Sequence, residues 1–492
     1  MLDKFLCPIK LTLRLRLAHF QGASKTEKRN STLSHTATAI VPFTPPRPKS
    51  LGPLAALLRA AITRDGNLIG LLPKQVYRIA SGTIGYSRRS IIILNDPKVV
   101  RTILTDPTDI YPKNDLMVGA VAPLIGDSIF VSHADTWRKQ RAMVAPAFTH
   151  MRLSAAFKSM TGALADFEQQ LEQDAETATP FSLDMAMSHL TADVICRTVF
   201  SATLQSQIAK DVFDAFSIFE RSVAHVEIRR LIMDPPWKDI PQHEHVLEAC
   251  AKIRECLGQL LDSHLQPGAN YRDIAADIIG ARDDEGEPFT REELIDQLGV
   301  FFLAGHETSA SVLTWCFYVL ATRQEIADRV REEVQAVAGD GPLELSHIRD
   351  LHFARAVFKE TLRLYPPITF IPRVAAETTR IGKRRIKKGA MLMIAPWVIH
   401  RHHDYWDKPD EFDAERFMPH REKEIVDGAY MPFGLGPRVC VGANFATIEA
   451  TLIIAQLARN FDFTLEPGQD VRPVARLTTR PAEQIILKAK RR

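Results

Sequence analysis

Residues 298–303, Leu-Gly-Val-Phe-Phe-Leu, and the resumption at Val312-Leu313 are apolar on nearly every face of a helix. A helix with no solvent side must be enclosed by other elements. The run is interrupted by Gly305-His306-Glu307-Thr308-Ser309, so it reads as a buried central helix and not as a membrane span. The chain supplies the enclosure. Apolar residues recur at helical spacing through residues 154–175, 184–200, 211–226, 243–264 and 292–338. Breaks fall at Asp234-Pro235-Pro236 and Gly286-Glu287-Pro288. Another helical pattern starts near Leu51. Strand texture sits toward the two ends. Residues 83–94 alternate and are rich in Ile, as a strand or a hairpin would be. Residues 380–386 and 391–394, joined through Lys387-Lys388-Gly389, read as a second hairpin, and short strands close the chain after a helix that follows Gly442. The expected fold is mainly α, an α+β arrangement with a small β region around one helical core.

The N-terminal part stands outside this pattern. Residues 1–40 carry seven Lys/Arg against Asp3 and Glu27 and are rich in Ser and Thr. A disordered extension and a targeting segment both fit that composition. The remainder is therefore taken as one domain, residues 41–492, opening on a stiff Pro-rich stretch at 41–48. No apolar run in the N-terminal part is long enough to cross a bilayer, so the chain is expected to be soluble, cytoplasmic first and mitochondrial-matrix second. With 62 Lys+Arg against 59 Asp+Glu there is no electrostatic case for nucleic acid. The six cysteines are widely spaced and lack C-x-x-C, which argues against a zinc ribbon or a redox pair.

One cysteine is set apart by its surroundings, Phe433-Gly434-Leu435-Gly436-Pro437-Arg438-Val439-Cys440-Val441-Gly442. A metal that activates dioxygen gains from an electron-donating thiolate ligand. A thiolate needs positive potential and N–H donors, and a helix starting just after Cys440 offers both. Gly436 and Gly442 would allow tight turning and close approach to a flat ring. Arg438 is positioned to pair with a carboxylate, and Phe433 to shield the sulfur. The segment resembles the haem-binding loop of the cytochrome P-450 superfamily, F-x-x-G-x-R-x-C-x-G, at every fixed position. The resemblance makes Cys440 the iron ligand and Arg438 a contact of a haem propionate.

Other motifs follow in the family's order. Ala304-Gly305-His306-Glu307-Thr308-Ser309 resembles the oxygen-activation motif. Ala304 and Gly305 remove bulk beside the cofactor. The Thr308 hydroxyl can bond the Ala304 carbonyl and distort the helix. Glu307 and Thr308 are then the expected proton relay. Glu360 and Arg363 match E-x-x-R, and Glu415-Arg416-Phe417 resembles P-E-R-F with Ala414 in place of Pro. The resemblance makes Glu360, Arg363 and Arg416 a buried structural network under the cysteine loop. Trp137 and Arg141 share a helix face as W-x-x-x-R, and Arg373 follows Phe370-Ile371-Pro372; all three are expected at the propionates.

What the resemblance implies is a triangular helical prism. Haem b lies between the central helix and the helix after the cysteine loop. The activity is that of an oxidoreductase, a monooxygenase placing one atom of O₂ into a lipophilic substrate that is fatty-acid, terpenoid or steroid-like. Electrons come from NAD(P)H through a reductase and a separate ferredoxin- or flavodoxin-type partner, for which Arg138 and Lys139 would give either a basic or an ordinary mixed face. By family position Phe301, Phe302, Ala304, Ile368 and Phe370 line the pocket with Leu477, Thr478 and Thr479 at a terminal hairpin tip, and Phe213, Phe216 and Phe219 form its roof. The alternatives are an O₂-independent haem-thiolate peroxygenase or isomerase, and a non-catalytic haem sensor. Those O₂-independent relatives typically lose the acid–Thr pair, which is intact here.

Overall fold

The computed structural model describes residues 43–49, 51–52, 55, 67–84, 90–223 and 242–492. The chain divides into two compact units, 1–39 and 40–492, and every described residue belongs to the second. The expectations for residues 1–40, for a helix from Leu51 and for a break at Asp234 fall on residues outside this description.

The central helix runs Arg291–Thr322. Thr290 caps its start, accepting from the Glu293 N–H while the Glu293 carboxylate accepts from the Thr290 N–H. Almost every side chain from Leu294 to Ala321 is buried, and Trp315 and Phe317 are wholly so. The enclosing helices include His150–Glu176, Leu183–Phe200, Gln207–Val223 and Glu244–His264. His352–Leu364 and Ala443–Asn460 complete the surroundings near the cysteine loop. The continuous pattern at 292–338 is in fact two helices. Arg323, at φ −134 and ψ 78, breaks the first, and Gln324–Ala338 follows.

The β region is peripheral. Its largest sheet joins Ser81–Ile84 to Ile91–Leu94 antiparallel, then Met391–Ile394 parallel to the latter, then Ile371–Val374 antiparallel. Of the expected strand or hairpin at 83–94, the described residues show two antiparallel strands. The second expected hairpin is corrected. Arg384–Ile386 pairs with Thr379–Ile381 across Gly382-Lys383, and Met391–Ile394 leaves for the main sheet. All four residues of Met391–Ile394 are buried, as suits an inner strand covered on both faces. Phe43 bridges to Phe412 and Tyr365 donates to the Pro46 carbonyl, which fastens the Pro-rich stretch to the body. Asp96 caps the helix Pro97–Leu104, against which the cysteine loop rests.

Candidate active site

The cysteine loop is shaped by two glycines with positive φ, Gly434 at +79° and Gly436 at +76°. A Cβ on Gly436 would stand 2.6 Å from the Leu104 carbonyl oxygen, so only glycine permits the contact with Pro97–Leu104. The Cys440 N–H donates to the Phe433 carbonyl at 2.9 Å and the Val439 N–H to Gly436 at 3.0 Å. Gly442 differs from expectation. Its φ of −88° needs no glycine, and it serves as the residue before the helix Ala443–Asn460. Its N–H faces the Cys440 sulfur.

Cys440 is exposed and lines a cavity of about 850 Å³. Burial by the surrounding protein raises its thiol pKa, against the lowering effects of the Gly442 N–H and Arg141. The favourable potential foreseen for a thiolate is present but does not prevail in the thiol form. The other four described cysteines are buried and free.

One wall of the cavity is cationic. Arg438 lies over the Trp137 ring at 4.4 Å, and its Nη1 is buried without a hydrogen-bond partner. Arg373 is 7% exposed, and its Nη1 donates only to the neighbouring Pro372 carbonyl at 3.3 Å. Lys113 sits over the Phe130 ring and donates to the Phe130 carbonyl. No carboxylate among the described residues pairs with Lys113, Arg373 or Arg438. Burial and mutual repulsion push Arg373 down to about 10 and hold Lys113 well below the usual lysine value. Arg141 reaches the same wall but donates to the Val439 carbonyl at 2.9 Å, so it braces the loop. Lys113 escaped the sequence reading; it lies in no motif, 260 residues before Arg373 and 325 before Arg438. A wall of buried cations lacking an anion, with a thiol on an adjoining face, fits the two carboxylates and single axial ligand of haem b.

The central helix forms another wall. Ala304 is exposed to the cavity, and the Thr308 hydroxyl donates to the Ala304 carbonyl at 2.6 Å. The expected bond is there, while the helix remains continuous through it. Gly305 lines the cavity, but its lack of a side chain chiefly admits Ile195. A Cβ there would stand 2.3 Å from Ile195 Cδ1.

Glu307 departs further from expectation. It is 1% exposed and is not among the cavity-lining residues. Its carboxylate accepts from Thr478 Oγ1 at 2.6 Å and Arg480 Nε at 3.0 Å, and pairs with Arg480 Nη2. Arg480 holds its pKa below the ordinary value against the opposing effect of burial. Glu220 lies 3.7 Å from Arg480 and is pushed up to about 7 by burial and by Glu307.

Glu360 and Arg363 form a buried ion pair. Arg363 donates to both Glu360 oxygens at 2.7 Å and to the carbonyls of His400, Pro409 and Glu411. Arg416 Nε lies 3.5 Å from Glu360. The sequence reading missed His400. Its Nε2 accepts from the Met431 N–H at 2.9 Å and its Nδ1 meets the Arg363 carbonyl at 3.2 Å, linking the network to the start of the cysteine loop. Burial and two arginines lower its pKa to about 3, so the ring is neutral.

Of the expected pocket residues, Phe301, Ile368, Phe370 and Leu477 line the cavity. Phe302 does not. It packs on Phe216 at 5.6 Å and beside His306. Phe213 and Phe216 surround His306 and Phe219 packs on Phe216, so this aromatic group is core and not a roof. Arg138 pairs with Asp109 and Asp135, and Lys139 with Asp283, so their surface is mixed and not basic. No helix among the described residues is long and apolar enough to cross a membrane.

A family model described as Cytochrome P450 matches residues 79–489. The chain is 30% identical over 414 residues to the protein LUTEIN DEFICIENT 5, chloroplastic, of Arabidopsis thaliana, covering 80% of this chain and 68% of that protein. It is 29% identical over 390 residues to cyclooctatin synthase of Streptomyces melanosporofaciens, covering 78% and 83%. The solved haem domain of cytochrome P450DA shares the fold with a TM-score of 0.74 at 22% identity, over 91% of this chain and 97% of that one.

Proposed function

Because the chain belongs to the cytochrome P450 family of haem-dependent oxidoreductases, we propose that it hydroxylates or epoxidises a lipophilic molecule of fatty-acid, terpenoid or steroid size, with Cys440 as the iron ligand. The observation that carries this reading is the cavity itself. Cys440, the unpaired cations Lys113, Arg373 and Arg438, and the Ala304–Thr308 turn all border one space.

Haem b, when bound, supplies the activation of dioxygen and the transfer of one oxygen atom. The balance takes two electrons and two protons and releases the second oxygen as water. The protein's part is to hold and orient. Arg438, Arg373 and Lys113 would hold the propionates, with Trp137 packed beneath Arg438. The thiolate would be kept in place by the Gly442 N–H and by Arg141 on the Val439 carbonyl. Thr308 faces the cavity with a hydroxyl whose proton is committed to Ala304, leaving its oxygen free to accept from a cavity water. Glu307 would join the relay only by leaving Arg480, which makes Thr308 the nearer proton-handling group. Phe301, Ile368, Phe370 and Leu477 give the substrate an apolar wall, the basis for reading it as lipophilic. The electron donor is read as a separate ferredoxin- or flavodoxin-type protein with its NAD(P)H reductase, docking by the mixed face around Arg138.

The test is the difference spectrum of dithionite-reduced protein with carbon monoxide. A strongly red-shifted Soret band, lost in Cys440→Ser, is expected. A band position typical of histidine-ligated haem would overturn the assignment of Cys440. In Thr308→Ala, NAD(P)H consumption should outrun product formation. Unchanged coupling would remove Thr308 from proton delivery, and product formed from a peroxide without O₂ or NAD(P)H would favour an O₂-independent reading.

A further inference from the structure

A second groove, of about 590 Å³, shares no lining residue with the active-site cavity. Three separate segments meet in it. The Pro-rich stretch brings Arg47 and Lys49, the short 3₁₀ helix Lys74–Arg78 brings both of its end residues and Tyr77, and the segment after Pro396–Ile399 brings Arg401 and His403. Asp410 is the one carboxylate, and Arg47 already pairs with it. Five cations thus face one acid, in a chain whose whole net charge is only +3. Charge gathered to this degree on low-dielectric walls produces a strong local field.

The floor is more telling than the rim. Arg401 is 2% exposed. Its two Nη atoms donate to the Trp397 and Leu364 carbonyls, and its Nε is buried without a partner. No carboxylate among the described residues forms an ion pair with it. A guanidinium so deeply set is costly unless an anion completes its surroundings. Burial moves its pKa down to about 10, the direction such a deficit requires. Beside it the Tyr77 hydroxyl accepts from Trp397 Nε1 at 3.1 Å, and its own proton has no acceptor among the described residues. Lys49, Lys74, Arg78 and His403 are exposed at the rim.

We propose that this groove is a binding site for a phosphate-bearing anion of at least two negative charges. Convergence of several cations selects multiple charge over a single carboxylate, and guanidinium forks match phosphate oxygens. The volume exceeds what one phosphate fills and suits a phosphate ester or a phosphoanhydride. The same chemistry is offered by a soluble phosphate compound and by the headgroup of an anionic lipid.

The test uses the full-length haem-loaded protein and a Lys74→Glu/Arg78→Glu double variant, both changes being at exposed positions. Sodium pyrophosphate is titrated by calorimetry at constant ionic strength. Sedimentation is measured with phosphatidylcholine vesicles, with and without phosphatidylinositol 4-phosphate, whose headgroup carries more than two negative charges. Saturable pyrophosphate binding, weakened by about tenfold or more in the variant, identifies a soluble phosphate site. Binding only to the phosphatidylinositol 4-phosphate vesicles, with the same loss, identifies a headgroup site. In either case the Soret spectrum should stay fixed, since the groove is apart from the haem cavity. Absence of both interactions overturns the proposal. So does binding that survives the double charge reversal.

Discussion

Glu307 and Thr308 are neighbours in the chain but serve different faces of the central helix. Thr308 looks into the cavity, while Glu307 is sealed behind it with Arg480 and Thr478. Removing one member of a buried ion pair strands the other, at a cost of about 3–5 kcal/mol. Arg480→Met should lower the unfolding free energy by about that amount in urea titrations, and Glu307→Gln in the same chain should restore part of it. Additive losses in the double variant would mean that the pair is not energetically linked. This pair also marks the limit of what the sequence discloses. The acid and the alcohol are recognisable because they are adjacent, but the arginine that restrains the acid lies 173 residues away, in no motif. Lys113 and His400 were hidden for the same reason. Cys440, Glu360 and Arg363 were readable because their chemistry is written in short local spacing.

Between elements, glycine positions decide how closely helices cross. Gly305 was read as clearance for a cofactor, and the structure gives most of that clearance to Ile195 of Leu183–Phe200. Gly305→Ala should therefore destabilise by about 1–3 kcal/mol through overpacking. Ile195→Ala in the same background should relieve most of the added strain, as read by a double-mutant cycle in denaturant. If Ile195→Ala gave no relief, the crossing would not be the reason for glycine. The strand error has an element-scale cause as well. Gly382 and Gly389 both have positive φ, so residues 380–394 carry two turn signals, and only pairing with remote Ile91–Leu94 decides between them. A second helix contact makes a pH prediction. The Ser309 hydroxyl donates to Glu449 at 2.6 Å, while the other Glu449 oxygen is buried without a partner. Burial pushes Glu449 up to about 8 from an ordinary 4.5. The folded chain then holds a proton that the unfolded chain releases, so this residue's contribution to stability declines as pH rises from about 4.5 to about 8. Glu449→Gln should match the parent Tm at the acid end of that window and exceed it increasingly toward the alkaline end. A Tm difference that shrinks with rising pH would refute the assignment.

At the scale of the whole molecule, the fold builds its cofactor site from charges that it leaves unneutralised. The Glu360–Arg363–His400–Met431 chain of bonds holds the cysteine loop against the helical body. Around the cavity, Arg373 is buried and Lys113 and Arg438 are partly buried, and none of the three forms an ion pair with a carboxylate among the described residues. In haem-free protein those three repel one another and lack solvation. On the proposed assignment the propionates of bound haem would supply the missing anions, so that binding the cofactor and stabilising the fold would be one linked process. Lys113→Met separates the two contributions. Removing one buried cation should raise the thermal midpoint of haem-free protein, because repulsion and desolvation are relieved. It should lower the midpoint of haem-loaded protein, because a charge-assisted hydrogen bond of about 1.5–3 kcal/mol is lost. The gap between the two midpoints should therefore narrow, and haem should transfer faster to an apo-globin acceptor. Calorimetric scans of both forms measure the gap directly, and a gap that stays the same or widens would show that the cationic wall is not what binds the propionates.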